Sequence, residues 1–328
     1  MAATVSVAVH VSLFPENVRE GLLRGLRSRE IPPRFHYESY KQAQKWLALH
    51  ERYSPARVDP DCARIYEESF AAAALGLAEA RAHLIGLGCG GGQKEARLLR
   101  ALGEKGKQIF YTPCDASLAL VLAAWREAGQ ASPRTPCRPL LCDLGAADDL
   151  AEVFEGQEPG GSLRLLTLFG LIPNFEPDAL MPKVAALVRP GDVLLFSANL
   201  APGSDYAAGV KRVLPGYDNT ETRDWLLTLL YDLGVEPRDG EARVWIEETP
   251  PGLRRIVADF HFARDRALLV EGEHFDFRAG ETVRLFFSYR YTAERVVRLL
   301  QSYQFEVTGE WITQSGEEGV FQCRKKAD

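Results

Sequence analysis

The sequence lacks the features that mark membrane, secreted and nucleic-acid-binding proteins. The apolar stretch 70–87 is interrupted by Glu79, Arg81 and His83, so it does not predict a membrane span. The N-terminus has neither a positively charged segment nor a convincing cleavage site, so it does not predict a signal peptide. Lys and Arg number 39 against 45 Asp and Glu, so the basic surplus typical of nucleic-acid binding is absent. We therefore expect a cytoplasmic protein with no membrane or nucleic-acid partner.

Cysteine and histidine are too scattered to predict a disulfide framework or a metal site. The chain has six cysteines and six histidines, with no CxxC pair and no HxH or HxxxH cluster. Cys137 and Cys142 stand closest together, but no partner follows at zinc-ligand spacing. We predict reduced thiols and no bound metal.

What the chain does contain is a regular alternation of apolar and helical segments. Its 328 residues suffice for one large domain or two ordinary ones. Strands are predicted at 83–87, 108–112, 139–142, 163–169 and 193–198, each followed by helical spacing or a turn. This alternation predicts a doubly wound parallel α/β sheet. Ligands of such sheets bind beyond the carboxyl ends of the strands.

A glycine-rich turn, AHLIGLGCGGGQK over residues 82–94, follows the first of these strands. Gly88, Gly90, Gly91 and Gly92 fall within five positions, and helical spacing begins directly afterwards. Glycine lets the backbone turn sharply and approach a ligand closely, and the following helix presents free N–H groups. The turn favours a nucleotide-like cofactor. A tight connection without a ligand, or a dinucleotide or flavin site, remains an alternative.

Polar residues stand just past the ends of other predicted strands. Asp115 follows the second strand, Asp143 the third and Asn174 the fourth. Because the carboxyl ends of parallel strands share one edge of the sheet, we expect these residues and Gly88 to converge on one crevice.

The remaining segments predict a second, smaller unit. Residues 200–291 contain helical spacing at 206–213 and 220–233, then predicted strands at 243–248, 253–262, 267–277 and 282–291, which is typical of an antiparallel sheet. A helix at 292–304 precedes a hairpin at 305–314 and 319–324, and valines alternate through a predicted strand at 4–12. We predict a seven-stranded Rossmann-like sheet in residues 58–199 plus 290–328. Residues 1–57 plus 200–289 would form an α+β substrate domain.

These features together resemble a class I methyltransferase dependent on S-adenosylmethionine (SAM). From about Phe35 to Val320 the chain resembles, more narrowly, the histidine-specific Nα-methyltransferase family of ergothioneine synthesis. Similar motifs occur in the same order: FHY (35–37), YSPAR (53–57), LGCGGGQK (87–94), YTPCDAS (111–117), CDL (142–144), LFGLIPNF (168–175), GYDN (216–219) and GETVRLFFSYRYT (280–292). Each motif alone is weak, and the assignment depends on their shared order.

The resemblance implies SAM as the cofactor. Positions that match the family's cofactor contacts are Gly88, Gly90, Lys94, Asp115, Asp143 and Leu144. It implies that Asp115 binds the ribose hydroxyls, since a carboxylate accepts two hydrogen bonds, and that Asp143 and Leu144 hold the adenine.

For the acceptor, the resemblance implies that Tyr53, Asn174 and Tyr217 grip the amino and carboxylate groups of an amino acid. We predict these as the catalytic residues, with Tyr37 as a further aromatic side chain at the site. The alternative for each tyrosine is a buried packing residue with a locally satisfied hydroxyl.

The sequence departs from the family at two positions. Ser288 matches the serine of the family's imidazole-binding pair, but Phe286 stands where the family has glutamate. A phenyl ring cannot accept the imidazole N–H, and an unpartnered N–H costs about 1–3 kcal/mol. Gly86 also stands where an acid is common before the glycine turn. We therefore predict an N-methyltransferase, monomeric, for an amino acid or small amine other than histidine.

Two rival functions remain open at this point. One is a methyltransferase for another small acceptor, through oxygen or a polyamine nitrogen; the other is a non-catalytic cofactor-binding homologue. The predicted reaction is in-line methyl transfer to a neutral amine without a metal. Asn174 and the tyrosines would orient the amine, and none is a strong base at neutral pH, so the rate should rise with pH.

Overall fold

The computed structural model describes residues 4–77, 79–157, 160, 162–250 and 252–326. Its α-helices are α1 (Pro15–Ser28), α2 (Tyr40–Tyr53), α3 (Pro55–Val58), α4 (Pro60–Gly76), α5 (Gln93–Glu104), α6 (Leu118–Ala131), α7 (Leu150–Glu155), α8 (Pro177–Leu187), α9 (Tyr206–Val213), α10 (Thr220–Asp232) and α11 (Ala293–Ser302). Its strands are β1 (Ala8–Val9), β2 (Arg81–Leu87), β3 (Gln108–Asp115), β4 (Leu140–Leu141), β5 (Leu163–Phe169), β6 (Val193–Asn199), β7 (Gly240–Thr249), β8 (Leu253–Phe262), β9 (Arg266–Val270), β10 (Glu273–Phe277), β11 (Thr282–Arg290), β12 (Phe305–Ile312) and β13 (Glu318–Lys325).

The main sheet has the order β1-β4-β3-β2-β5-β6-β13-β12. Strands β1 to β6 are parallel, and the hairpin of β12 and β13 closes the sheet antiparallel to β6. The predicted parallel strands and terminal hairpin are confirmed. Because β2 lies in the middle, the glycine turn that follows it opens at the centre of the carboxyl edge.

The N-terminal segment differs from its prediction. Of the strand predicted over residues 4–12, only Ala8–Val9 is formed, and it adds an eighth strand by pairing with Leu140–Leu141 of β4. Val9 and Val11 are exposed, whereas His10 and Ser12 are buried. The alternating valines therefore do not face a core, which is why the expected long strand is absent.

Both faces of the main sheet are covered, as a parallel sheet requires. Neighbouring residues of β2 and β5 alternate between two hydrophobic clusters: Leu84 and Leu165 lie in one, Ile85 and Leu166 in the other. A third cluster joins α1 and α10 to the antiparallel strands, with Leu26, Trp225 and Phe260 among its members. The predicted division into two domains stays a prediction.

The antiparallel part is a three-stranded sheet of order β11-β8-β7 and a separate hairpin of β9 and β10. The prediction of one strand over residues 267–277 was wrong, because the chain reverses at Glu271 and Gly272. Both have positive φ, 50° and 84°, as a two-residue hairpin turn needs. Glutamate rarely adopts this conformation, so the sequence did not mark the turn.

The described part of the chain contains no helix that is both long and apolar enough to cross a bilayer. Its six cysteines are unpaired. Among the residues that the structure describes, no group of three or more His, Cys, Asp or Glu side chains could hold a metal ion.

Candidate active site

One cavity of about 1450 Å³ lies beyond the carboxyl edge of the main sheet, covered by α2 and β11. Every residue that the sequence predicts for the site lines this cavity. On the predicted cofactor side these are Gly88, Gly90, Lys94, Asp115, Asp143 and Leu144; on the acceptor side they are Tyr37, Tyr53, Asn174, Tyr217, Phe286 and Ser288. The fold thus brings together loops that are far apart in sequence, while the roles of these residues stay predictions.

The glycine turn adopts a backbone that other residues rarely accept. Gly88 and Gly90 have φ of 62° and 53°. A Cβ on Gly88 would lie 2.8 Å from Leu171 Cδ1, and one on Gly90 would lie 2.9 Å from a ring carbon of Trp46. The turn therefore depends on glycine at both positions, and it leaves the backbone bare toward the cavity.

Asp115, the last residue of β3, is held against this turn. Its Oδ2 accepts the Gly90 N–H at 3.0 Å, and its Oδ1 accepts the Ser117 N–H at 3.0 Å. Burial raises the pKa of Asp115 to about 6, and the backbone hydrogen bonds oppose that rise. Each carboxylate oxygen retains a further lone pair, so the ionised group can still accept two hydroxyl donors.

This pKa predicts that cofactor binding weakens in acid. Above about pH 7 the Asp115 carboxylate is ionised and would accept the ribose hydroxyls; below its pKa of about 6 it is protonated and loses acceptor strength. SAM affinity should fall toward tenfold per pH unit between about pH 6 and 5. Calorimetric titration over this range measures it, and Asp115→Asn should abolish the slope. A slope that persists in Asp115→Asn would contradict the role assigned to the carboxylate.

Asp143, predicted to hold adenine, already has a cationic partner. Its Oδ2 lies 3.1 Å from Arg34 Nε, its Oδ1 accepts the Gly145 N–H at 2.9 Å, and its own N–H donates to Ser12 Oγ at 3.1 Å. Burial lowers the pKa of the Arg34 guanidinium, while the charge of Asp143 opposes that effect. Leu144 beside it is buried. The N-terminal segment and Arg34 thus build the end of the cavity that is predicted for adenine, which the sequence did not reveal.

Lys94, at the start of α5, is tied to a polar cluster on the cavity wall. Its Nζ donates to the Tyr66 hydroxyl at 2.7 Å and lies 3.9 Å from Glu318 Oε1. The Tyr66 hydroxyl donates to Glu318 at 2.5 Å, and burial raises the pKa of Tyr66 well above its usual value. Lys94 therefore anchors α5 to β13 as well as lining the cavity.

Asn174 lies in the short 3₁₀ turn after β5. Its amide nitrogen donates to the Phe287 carbonyl oxygen of β11 at 2.7 Å, which joins the parallel sheet to the antiparallel one. This contact uses one of the two N–H groups, so the amide oxygen and the second N–H remain for a ligand. An amide oxygen accepts hydrogen bonds from an amine.

Tyr217 is surrounded by hydrogen-bond partners at its hydroxyl. The oxygen accepts from Arg290 Nη2 at 2.5 Å and from Asn199 Nδ2 at 3.3 Å, and lies 3.3 Å from Ser288 Oγ. The ring stacks on Phe286 with centroids 6.0 Å apart. Tyr217 thus connects a polar corner of the cavity to an aromatic one.

Phe286 belongs to an aromatic wall. Its ring meets Trp225 edge-on at 6.1 Å, and Tyr37 packs on Trp225 at 5.3 Å and on Trp46 at 5.6 Å. Burial, and then the charges of Asp115 and Tyr217, raise the pKa of Tyr37. Tyr37 therefore lies between the predicted cofactor and acceptor sides.

A β-bulge sets the position of Phe286. The register of β11 against β8 shifts between Arg284 and Phe286, so Leu285 is the extra residue. The freed Leu285 carbonyl oxygen accepts His36 Nε2–H at 2.5 Å. Burial lowers the pKa of His36 to about 4, so its ring is neutral and acts as a structural donor.

Tyr53 is the exception among the predicted acceptor residues. It ends α2 at the cavity rim and remains 37% exposed, with the Arg52 guanidinium 5.3 Å from its ring centroid. Its contact with an acceptor stays a prediction.

Several lining residues were not predicted from the sequence: Arg34, Trp46, His50, Asn199, Trp225, Arg290 and Glu318. A signal existed for two of them. Asn199 ends a parallel strand, as Asp115 does, and Arg290 shares the alternate-residue spacing of Phe286 and Ser288 along β11. The others reach the cavity only through tertiary packing.

The fold and the site define the class of protein. A parallel sheet closed by an antiparallel hairpin, with a glycine turn after the central strand and an acid after the next, is the arrangement of class I SAM-dependent methyltransferases. The family then follows from the sequence: the model for histidine-specific, SAM-dependent methyltransferases matches residues 14–325. The chain belongs to that family, and SAM is the family's cofactor.

Among curated proteins, the chain is similar to two fungal enzymes. It is 24% identical over 234 residues to the N-methyltransferase fsqC of Aspergillus fumigatus, covering 70% of this chain and 62% of that protein. It is 25% identical over 245 residues to the N-methyltransferase imqF of Aspergillus flavus, covering 72% and 66%. The chain thus spans just under two thirds of each relative. Among solved structures, magnesium protoporphyrin IX methyltransferase from Synechocystis PCC 6803 with bound SAH aligns at 11% identity and TM-score 0.45, over 88% of this chain and 95% of that one.

The residues present fit SAM. The glycine turn offers bare backbone, and Asp115 offers a carboxylate next to it. Leu144 supplies apolar surface at the predicted adenine end, and Leu171 supplies it beside Gly88. These groups match the polar and apolar parts of a nucleoside.

Proposed function

We propose that the protein is a SAM-dependent N-methyltransferase acting on the amino group of an amino acid or related small amine other than histidine. One observation carries the proposal. The predicted cofactor residues and the predicted acceptor residues Asn174, Tyr217, Phe286 and Ser288 line the same cavity. Donor and acceptor would therefore meet inside it.

The chain's own residues would align the reactants. SAM supplies an electrophilic methyl group when it is bound. Asp115 and the glycine turn would fix the donor, and the Asn174 amide oxygen would accept an amine N–H and so orient the nitrogen lone pair. Such alignment supplies several kcal/mol of the barrier reduction.

The aromatic wall supports selection against histidine. Phe286, between Tyr217 and Trp225, has no acceptor for an imidazole N–H. Leaving that N–H unpartnered costs about 1–3 kcal/mol. The wall suits an apolar or aromatic acceptor, since aromatic pairs gain about 0.5–1.5 kcal/mol beyond area burial. That both fungal relatives are named N-methyltransferases favours nitrogen over oxygen as the acceptor atom.

The decisive experiment is methyl transfer from labelled SAM to a panel of amino acids, amines and phenols, histidine included. We expect label on nitrogen, located by tandem mass spectrometry, with histidine among the poorest acceptors. Label on phenol oxygen alone would overturn the proposal. SAM binding by calorimetry without transfer to any member would instead support the non-catalytic alternative.

The rate should rise with pH. The amine must lose its proton before attack, and neither Asn174 nor the predicted tyrosines is a strong base at neutral pH, so log kcat/KM should climb with a slope of about 1 below the amine pKa. Stopped assays from pH 7 to 9 measure this, with single-turnover rates to show that chemistry limits. A flat profile under that condition would contradict the mechanism.

A further inference from the structure

Arg290, the last residue of β11, lies in the cavity wall with its side chain nearly buried. Only 6% of the residue is exposed. Nη2 donates to the Tyr217 hydroxyl at 2.5 Å, Nη1 lies 3.5 Å from the Leu200 carbonyl oxygen, and Nε is buried without a partner. Among the described residues no carboxylate pairs with this guanidinium.

Two other poorly exposed arginines of the chain do pair with a carboxylate. Arg34 pairs with Asp143 at 3.1 Å, and Arg284 pairs with Glu247 at 3.1 Å. A buried charge is costly unless it is paired, so arginines at such depth normally carry a counter-ion. Arg290 departs from this pattern, and it does so where the wall faces an open cavity.

Two further donors lie beside Arg290. The Tyr217 oxygen already accepts from Arg290 and from Asn199, so its own proton is available to a third group. Ser288, two residues earlier on β11, is buried with its Oγ 3.3 Å from the Tyr217 oxygen. A guanidinium that pairs with no carboxylate of the described residues, together with two hydroxyls in the same corner, forms a binding site for an anion.

We propose that Arg290 binds a carboxylate of the acceptor, an assignment that rests on the proposed function. The acceptor is then an amino acid or another amine that carries an acid group, and a simple amine or polyamine is excluded. Phe286, Ser288 and Arg290 occupy alternate positions on one strand face, so one acceptor can meet the aromatic wall and the guanidinium together. Tyr217 contacts both, stacking on Phe286 while the Arg290 guanidinium lies 5.0 Å from its ring centroid.

The test compares ligands that differ only in the carboxylate. The pairs are L-phenylalanine and 2-phenylethylamine, L-tyrosine and tyramine, and L-tryptophan and tryptamine. Each is titrated by calorimetry into the protein saturated with S-adenosylhomocysteine, so binding is read without turnover. For the best-bound pair we expect the amino acid to bind about 100-fold more tightly than its amine.

In Arg290→Met this preference should shrink to within about threefold, because binding of the amino acid weakens and binding of the amine does not. Arg290→Lys keeps the positive charge but lacks the paired N–H donors of the guanidinium, and should retain a preference of about tenfold. Arg290→Lys also provides the test if Arg290→Met fails to fold. Arg298→Met removes an exposed arginine of α11, which pairs with Glu294, and should change neither ligand. Binding of S-adenosylhomocysteine should stay within twofold in all variants.

The proposal is overturned if no amino acid of the panel binds more tightly than its amine, or if Arg290→Met weakens both members of a pair equally. These outcomes are separate from failure of the proposed function, which is read as absence of labelled methyl transfer. A carboxylate preference without transfer would leave the Arg290 site standing and remove the methyltransferase activity.

Discussion

The variant Asp115→Ala should lose measurable SAM binding, whereas Asn174→Ala should bind SAM normally and fail to transfer its methyl group. Asp115 offers both carboxylate oxygens beside the glycine turn. Two charge-assisted hydrogen bonds are worth about 3–6 kcal/mol together, or roughly 10²–10⁴ in affinity. Removing the side chain also frees the Gly90 N–H, so the turn itself loses a contact.

Asn174 lines the same cavity and is proposed to act on the acceptor. Its amide nitrogen is held by the Phe287 carbonyl oxygen, and its amide oxygen would orient the amine. Misalignment of reacting groups by about 1 Å lowers rates by roughly 10², so kcat should fall at least that far in Asn174→Ala. Calorimetry gives the affinity and labelled methyl transfer gives kcat.

Two controls make the comparison specific. Asp232→Ala removes an exposed carboxylate whose partner is Lys41, and should change neither quantity. Asp115→Asn keeps an acceptor without its charge and should lose less affinity than Asp115→Ala. An equal loss of SAM affinity in Asp115→Ala and Asn174→Ala would refute the separation of donor and acceptor sides.

The variant Phe286→Glu should shift the acceptor selectivity of the protein toward histidine. A carboxylate at this position accepts the imidazole N–H, and Ser288 is already in place two residues along the strand. Gaining a charge-assisted hydrogen bond of about 1.5–3 kcal/mol should raise kcat/KM for histidine by roughly 10- to 150-fold. The kcat/KM for aromatic acceptors should fall by a comparable factor, since the stacking partner of Tyr217 is gone.

Phe286→Leu is the matched control, because it removes the ring and adds no acceptor. Histidine should remain a poor acceptor in that variant, and Phe286→Gln should fall between the two. Methyl transfer to histidine and to the best aromatic acceptor, measured side by side, gives the ratio. If Phe286→Glu binds SAM with wild-type affinity yet shows no gain on histidine, Phe286 does not set the selectivity.

Much of the fold could be read from the sequence where apolar runs end at glycine, proline or polar residues. The predicted bounds of β5, β8 and α9 coincide with the observed ones. That the predicted site residues line one cavity could be foreseen for a related reason. Topology places the carboxyl ends of parallel strands at one edge, so Asp115 and Asn174 had to come close once the alternation was recognised.

The features that could not be predicted from the sequence depend on tertiary contacts or on unusual backbone conformations. The β9–β10 turn uses a glutamate with positive φ, Glu271, where a sequence pattern favours glycine or asparagine. The N-terminal segment buries His10 and Ser12 instead of its valines, because those polar side chains face Asp149 and Asp143. The partner of Asp143 is Arg34, more than a hundred residues earlier. No local sequence pattern predicts an ion pair between residues so far apart.

The position of Tyr217 has a consequence for how this family diversifies. Its ring contacts both Phe286, which is proposed to select the acceptor's side chain, and Arg290, which is proposed to bind its acid group. Substitutions at residues sharing a partner are generally not additive. We therefore expect epistasis between Phe286 and Arg290, because both contact Tyr217. A lineage that changes its substrate is expected to substitute these two positions in a preferred order.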